Sequence, residues 1–268
     1  MSVDAADGWA ETADETPVFG EPGATVSPWL ATRLTALFPE GAEAAAVVRR
    51  ALEVGGLETD VELNVGHVDD TDWVRLTQDQ FRPIRISDRL WVVPTWHEAP
   101  EPTALNIALD PGIAFGTGSH PTTRLCLEWL ANAIRGGERV LDYGCGSGIL
   151  AIATMKLGAA AAVGVDIDPQ AVLAAARNAE QNHVAAQFFD PPSEPAGVYD
   201  IVVANILSNP LKALAPLLAS RVGPGGCLIL SGILEPQAEG VVASYASELS
   251  LAPAAVLDGW VLLAGTRP

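Results

Sequence analysis

Basic residues are scarce in this 268-residue chain, with fifteen Lys and Arg against thirty-three Asp and Glu. The formal net charge of −18 repels the phosphates of nucleic acid and attracts basic partners. It also serves solubility, and the presence of only two lysines, Lys156 and Lys212, beside thirteen arginines marks a compositional bias. Cysteine is nearly absent. Cys126, Cys145 and Cys227 are odd in number and form no C-x-x-C pair. That excludes a disulfide framework and a zinc motif, and fits a reducing cytoplasm. No apolar run is long and uninterrupted enough to span a bilayer. The start, Met1 to Asp7, is acidic and lacks an apolar centre, so no signal peptide is expected there.

Nearly half of the residues are apolar, enough for a full α/β core, and the length suits one large or two smaller domains. The most informative stretch runs from Arg139 to Ala153. Val140 and Leu141 open it, Gly144, Gly146 and Gly148 alternate through Asp142-Tyr-Gly-Cys-Gly-Ser-Gly148, and an Ala/Leu-rich run follows. That order reads strand, tight turn, helix. Glycine allows the turn and lets the backbone approach a ligand closely, and the helix start presents unpaired N–H groups. Ala161 to Val165 reads as the next strand, closed by Asp166, at about the 20-residue distance where a βαβ nucleotide site carries its ribose-binding acid. Asp168-Pro169 fits an N-cap followed by the first helical residue, so Asp166 is assigned to the ligand and Asp168 to the helix. The spacing is G-x-G-x-G, whereas pyrophosphate-binding sites for NAD or FAD use G-x-G-x-x-G. The form resembles the S-adenosylmethionine (AdoMet) site of the doubly wound methyltransferases.

The rest of the chain carries the alternation on. A helical pattern starts at Ser27-Pro28 with Leu30, Leu34, Leu37 and Phe38, a second spans Ala42 to Val54 before Gly55-Gly56, and Glu58 to Val65 alternates as a strand. Asp72 to Phe81 reads as a short helix. Arg82 to Ile86 and Arg89 to Val93 read as strands around Ser87-Asp88, and Glu98 to Pro102 as a linker. His97 is better explained as a structural neighbour of Trp96 than as a catalyst. Leu109 to Arg124 combines Gly, Pro, Thr and His120 ahead of a helix that begins near Thr122-Thr123. It reads as a loop folded over a ligand. After Asp166 come a helix from Pro169 to Gln181, strands at Gln187 to Phe189 and Tyr199 to Ala204, and a helix from Leu211 to Val222. A turn at Gly223 to Gly226, a strand at Cys227 to Ser231, a helix from Glu235 to about Tyr245, and a hairpin around Asp258-Gly259 complete it.

The phrases Trp91-Val-Val-Pro-Thr-Trp96, Leu109-Asp-Pro-Gly-Ile-Ala-Phe-Gly-Thr-Gly-Ser-His-Pro-Thr-Thr123, Asp142 to Gly148 and Ala204-Asn-Ile-Leu-Ser-Asn-Pro-Leu211 closely resemble the ribosomal protein L11 methyltransferase (PrmA) family. The resemblance runs from about Asp72 to the C-terminus. It implies an α/β class I AdoMet-dependent methyltransferase fold: a doubly wound, mostly parallel sheet with an antiparallel C-terminal edge, plus a small N-terminal α+β module. The implied division is 1–66 for substrate recognition, 67–102 as a connecting segment and 103–268 for catalysis. The family transfers methyl groups from AdoMet to amines of L11, commonly up to three per nitrogen. Carried over residue by residue, Thr123, Gly144, Asp166 and Asn205 bind AdoMet, with Gly146 and His120 as neighbours and Asp190 a candidate for the adenine amino group. Asp166 takes the ribose hydroxyls and Thr123 the amino acid end. Asn205 ends its strand where an open α/β sheet places its chemistry, and also serves to position the acceptor amine. No aromatic plate follows it, which disfavours a flipped base. No metal, nucleic acid or membrane partner is implied, and the location is cytoplasmic. The alternatives are a small-molecule or RNA methyltransferase on the same fold, and a non-catalytic AdoMet-binding module.

Overall fold

The computed structural model describes residues 2–5, 32–36, 38, 42–57, 61–66, 81–110 and 118–268. The chain divides between Trp73 and Val74 into two units. In the smaller, strand β1 (Ser2–Ala5) pairs antiparallel with β2 (Thr32–Thr35), and helix α1 (Ala44–Val54) follows. The helical pattern expected from Ser27 to Phe38 is therefore corrected to a strand over Thr32–Thr35, and its positions 27–31 and 37 lie outside the described residues. Thr32 and Thr35 are β-branched and favour extended backbone, and β1 supplies the hydrogen-bonding partner. Residues 61–66 have no regular structure, against the strand expected over 58–65. Alternation alone does not hold a strand without a neighbour to pair with. Asp72 to Gln80, where a helix was expected, lie outside the described residues.

The larger unit opens with a three-stranded sheet. β3 (Ile84–Arg85) is antiparallel to β4 (Leu90–Val93), which is parallel to β5 (Leu105–Ala108). Strand β5 lies outside the elements expected above, although Leu105, Ile107 and Leu109 alternate as in a strand. It is fixed from far away, by the Asn182 amide, which accepts from Ala108 N–H and donates to Ala108 O at 2.8 and 2.7 Å.

Helix α2 (Pro121–Ala133) leads into β6 (Arg139–Tyr143), α3 (Ile149–Leu157), β7 (Ala161–Val165), α4 (Pro169–Gln181), β8 (Gln187–Phe189) and β9 (Tyr199–Asn205). Then come α5 (Ser208–Ala213), α6 (Ala215–Arg221), β10 (Val222–Leu234), α7 (Ala238–Tyr245), β11 (Ala252–Leu257) and β12 (Trp260–Thr266). The single helix expected over 211–222 is split, because Pro216 has no N–H to continue the ladder. The expected Gly223 to Gly226 turn is instead a register shift inside β10, between Val222 and Cys227.

The seven-stranded sheet has the order β11-β12-β10-β9-β6-β7-β8. Strands β8, β7, β6, β9 and β10 run parallel, and β12 is antiparallel both to β10 and to the edge strand β11. The chain winds outward from β6 through β7 to β8, then returns to the other side of β6 at β9. The switch point, and the crevice it opens at the strand C-termini, therefore lies between β6 and β9. Alternate strand residues feed two cores. Val140, Ile201, Val203 and Ile229 face α2 and α3 on one side, and Leu141, Val202, Ala204, Leu228 and Leu230 face α5 to α7 on the other.

Tyr245 closes the second core. It is fully buried and its hydroxyl donates to Leu211 O at 2.7 Å, tying α7 to α5. Tyr245→Phe should lower the unfolding free energy by about 1 kcal/mol, measured by urea denaturation. An unchanged midpoint would show that this bond contributes nothing net.

Candidate functional site

The C-terminal ends of β6 and β7 are joined by the glycine turn. Gly144 and Cys145 N–H both donate to Val165 O, at 2.7 and 3.0 Å, and Gly146 N–H donates to Asp166 Oδ2 at 2.8 Å. Gly144, Gly146 and Gly148 have φ of 78°, 52° and 77°, a left-handed region that side chains disfavour, so the alternating spacing is what this path requires. Gly148 closes the turn by donating to Cys145 O at 2.8 Å and is the N-cap of α3. Asn178 of α4 braces the turn from the side, donating to Ser147 O at 2.8 Å.

Asp166 follows β7 directly. Its Oδ1 accepts from Asp168 N–H at 3.0 Å, so each oxygen takes one backbone bond and keeps a lone pair for a further donor. Asp168 is the N-cap of α4 and accepts from Gln170 N–H at 2.8 Å, so Asp168 serves the helix whereas Asp166 serves the turn. The end of β8 brings Asp190 alongside, since Asp166 N–H donates to Phe189 O at 3.1 Å. Asp190 is exposed, and its carboxylate makes no cap bond.

On the other side of the switch point, Asn205 ends β9. Its amide Nδ2 donates to Thr123 Oγ1 at 3.2 Å, joining positions 82 residues apart. Thr123 is buried in the first turn of α2. His120 caps that helix: its Nδ1 lies 2.7 Å from Thr122 Oγ1 and accepts from Thr122 N–H at 3.3 Å. The His120 ring meets Trp260 edge-on at 5.0 Å, and burial lowers its pKa. With Nδ1 an acceptor, the neutral ring carries its proton on Nε2. Residues 111–117 of the loop expected to cover the ligand lie outside the described residues. His97 is set apart from this group, with Nε2 bonded to Phe81 O at 2.9 Å.

Sequence reasoning missed Asp142. It sits on β6 two residues before the turn, 1% exposed. Oδ2 accepts from Ala151 N–H at 3.2 Å, while Oδ1 has no partner. Burial foremost, and the charge of Asp166, raise its carboxyl from 3.8 to about 7. The available signal was an acid closing the strand ahead of the first glycine.

The cleft thus offers carboxylate, amide and hydroxyl oxygens at the ends of β6 to β9, and three close-approach glycines. It suits a ligand rich in N–H and O–H donors. AdoMet, with ribose hydroxyls, an adenine amino group and an ammonium, fits that set. The fold and the cleft together define a class I AdoMet-dependent methyltransferase.

Comparison with known proteins narrows the class. The family model described as ribosomal protein L11 methyltransferase (PrmA) matches residues 2–268. A protein of that name from Chromobacterium violaceum is 56% identical over all of this chain and 90% of its own length, and one from Neisseria meningitidis is 55% identical over the same shares. Among solved structures, a ribosomal protein L11 methylase from Lactobacillus delbrueckii subsp. bulgaricus superposes with a TM-score of 0.63 at 33% identity, covering 70% of this chain and 98% of that one. A T. thermophilus 16S rRNA methyltransferase in complex with AdoMet and guanosine shares the fold, with a TM-score of 0.50 at 24% identity over 58% of this chain and 45% of that one. The chain belongs to the ribosomal protein L11 methyltransferase (PrmA) family.

Asp142 makes stability depend on pH. The folded chain holds its proton up to about pH 7, whereas the unfolded chain releases it near pH 3.9. The folded state binds more protons between those values, so this group's contribution is greatest below about pH 4 and is lost as pH rises through 7. Asp142→Asn should remove that decline, seen as a flatter dependence of urea midpoints on pH between about 4 and 7.5. Parallel curves for the two proteins would refute it.

Proposed function

We propose that this chain methylates amines of ribosomal protein L11, the N-terminal α-amine and lysine side chains, using AdoMet. The observation that supports it most directly is Asn205 at the switch-point strand end. It is bonded to Thr123, lies beside the glycine turn, and is followed by Ile206-Leu207-Ser208 where a nucleobase enzyme needs an aromatic plate. Asp166 takes the ribose hydroxyls, Asp190 the adenine amino group, and Thr123 and the Gly144–Gly146 turn the amino acid end. The N-terminal module recognises the substrate protein. The proposed reaction belongs to the cytoplasm. No direct nucleic-acid or membrane binding is proposed, and no helix among the described residues is long and apolar enough to cross a membrane.

AdoMet supplies a methyl already made electrophilic by its sulfonium. The protein must therefore present a neutral amine in line with it. A free lysine is well under about 0.1% neutral at pH 7, and an α-amine about 14% neutral. Nearby positive charge and desolvation lower either pKa. Asn205 Nδ2 is committed to Thr123, which leaves Oδ1 to accept an amine N–H and aim the lone pair. His120 has its basic nitrogen turned to Thr122, and His97 bonds the Phe81 carbonyl. Neither serves as a general base, and alignment supplies the rate.

Isotope-labelled AdoMet, offered with ribosomal proteins from an unmethylated source, should place label on L11 in steps of one methyl by intact-protein mass spectrometry. Label on RNA or a metabolite instead, or none at all, would discard the substrate. Asp166→Ala should weaken AdoMet binding about 100-fold or more by calorimetry, as charge-assisted bonds to two hydroxyls are lost. Unchanged affinity would sink that assignment. His97→Ala and His120→Asn, which keeps a capping acceptor, should retain turnover at saturating AdoMet. Loss of turnover with AdoMet binding intact would reveal a required base.

A further inference from the structure

We infer that Ile206 is a positioning residue that fixes the spacing between the cofactor turn and Asn205, wedged between two missing Cβ atoms. The inference rests on the methyl-transfer reading of the site above.

Strands β6, β9 and β10 are adjacent and parallel, and β10 runs on to Leu234 after its pairing with β9 stops at Ser231. The middle one ends in Asn205, opposite Ser231 of β10, so Ile206 emerges level with Gly144 on one flank and Gly232 on the other. A Cβ on Gly144 would lie 2.3 Å from Ile206 Cγ2. A Cβ on Gly232 would lie 2.2 Å from Ile206 O and 2.7 Å from its carbonyl carbon. Both glycines have left-handed backbones, φ +78° and +85°. The Ile206 side chain therefore fills the space left by one glycine, and its peptide the space left by the other. Movement toward β6 meets the cofactor turn, and movement toward β10 meets Gly232. The bond from Asn205 to Thr123 holds the neighbouring residue from a third direction. Ile206 also packs on the second core, so the wedge is anchored from below.

The chemistry makes this spacing matter. Transfer needs the amine lone pair in line with the methyl–sulfur bond, and misplacement by about 1 Å costs about 100-fold. Asn205 aims the amine and the glycine turn seats the cofactor. The structure joins those two through the β-branch of Ile206, which has no polar atom of its own to offer the reaction.

The branch itself can be tested. Ile206→Val keeps Cγ2, whereas Ile206→Ala removes it. At saturating AdoMet, Ile206→Val should retain the parent rate on L11 within about threefold, and Ile206→Ala should lose at least about tenfold. AdoMet affinity by calorimetry should stay within about threefold for both, since neither loses a contact proposed for the cofactor. Gly144→Ala is then measured for AdoMet affinity in the parent and in the Ile206→Ala background. Its backbone strain is common to both and cancels, so a penalty at least about tenfold smaller in the Ile206→Ala background than in the parent reports the steric contact. Three results overturn the inference: Ile206→Ala at the parent rate, a rate loss reversed by more AdoMet or accompanied by lost AdoMet binding, or equal Gly144→Ala penalties in the two backgrounds. If the unaltered chain places no label on L11, the proposed substrate fails, and the Gly144–Ile206 cycle still decides the wedge.

Discussion

The hydrogen bond from Gly146 N–H to the Asp166 carboxylate is the constraint on which the site depends. Two parallel strands, β6 and β7, end at the same level, and the chain leaving β6 must reverse into α3 without drifting away from β7. It does so by directing three N–H groups in a row at the end of β7, two to Val165 O and one to Asp166. Only alternating left-handed residues give that path, and glycine adopts it without steric strain. The turn is thus an extension of the sheet rather than a loop above it. Helix α3 enters the first core at an angle set by the same turn, with Ile149, Leu150 and Ile152 buried. The cofactor cleft and the core are consequences of one backbone course.

The strand ends divide the cleft chemically. On one side of the switch point β6, β7 and β8 finish at or beside Asp142, Asp166 and Asp190. On the other, β9 finishes in Asn205, where its pairing with β10 stops at Ser231. Carboxylates crowd the half proposed for a ligand with hydroxyl, amino and ammonium donors, while a neutral amide stands in the half proposed for the acceptor. Asp142 shows the consequence of that crowding. Desolvation and the charge of Asp166 push it to about 7, and its second oxygen has no partner within the protein. A buried acceptor of this kind is unfavourable unless something outside the chain satisfies it.

What could be foreseen from sequence was local. The glycine turn, Asp168-Pro169 at the start of α4, the Gln187 to Phe189 strand and the Asp258-Gly259 hairpin each carry their cause within a few residues, and the structure has them in place. The parts that could not be foreseen depend on distant partners. Strand β5 pairs with β4 and is tied at its end to Asn182, 74 residues on. The Thr123–Asn205 bond spans 82. His120, legible as part of a ligand loop, is a helix cap whose basic nitrogen faces its own backbone. Pro216 is a local break inside the helix expected over 211–222, and it divides that stretch between α5 and α6. Ile206 has no motif, because its role exists only once three strands stand side by side.

The acidity of the chain and the need for a neutral amine pull in opposite directions, and the division of the cleft reconciles them. A net charge of −18 attracts basic partners, yet negative charge beside an amine raises its pKa and keeps it protonated. The carboxylates therefore have to stand where a cation stays a cation, on the cofactor side. The acceptor must meet an uncharged oxygen and apolar walls, which favour the neutral form. In the proposed reaction Asn205, followed by Ile206 and Leu207 and bonded to the buried Thr123 hydroxyl, provides that setting without a titratable group. Long-range charge then governs encounter, and short-range neutrality governs reaction. Replacing Asn205 by an aspartate would bring the first into the place of the second, strengthening attraction for the amine while withdrawing its lone pair from the methyl.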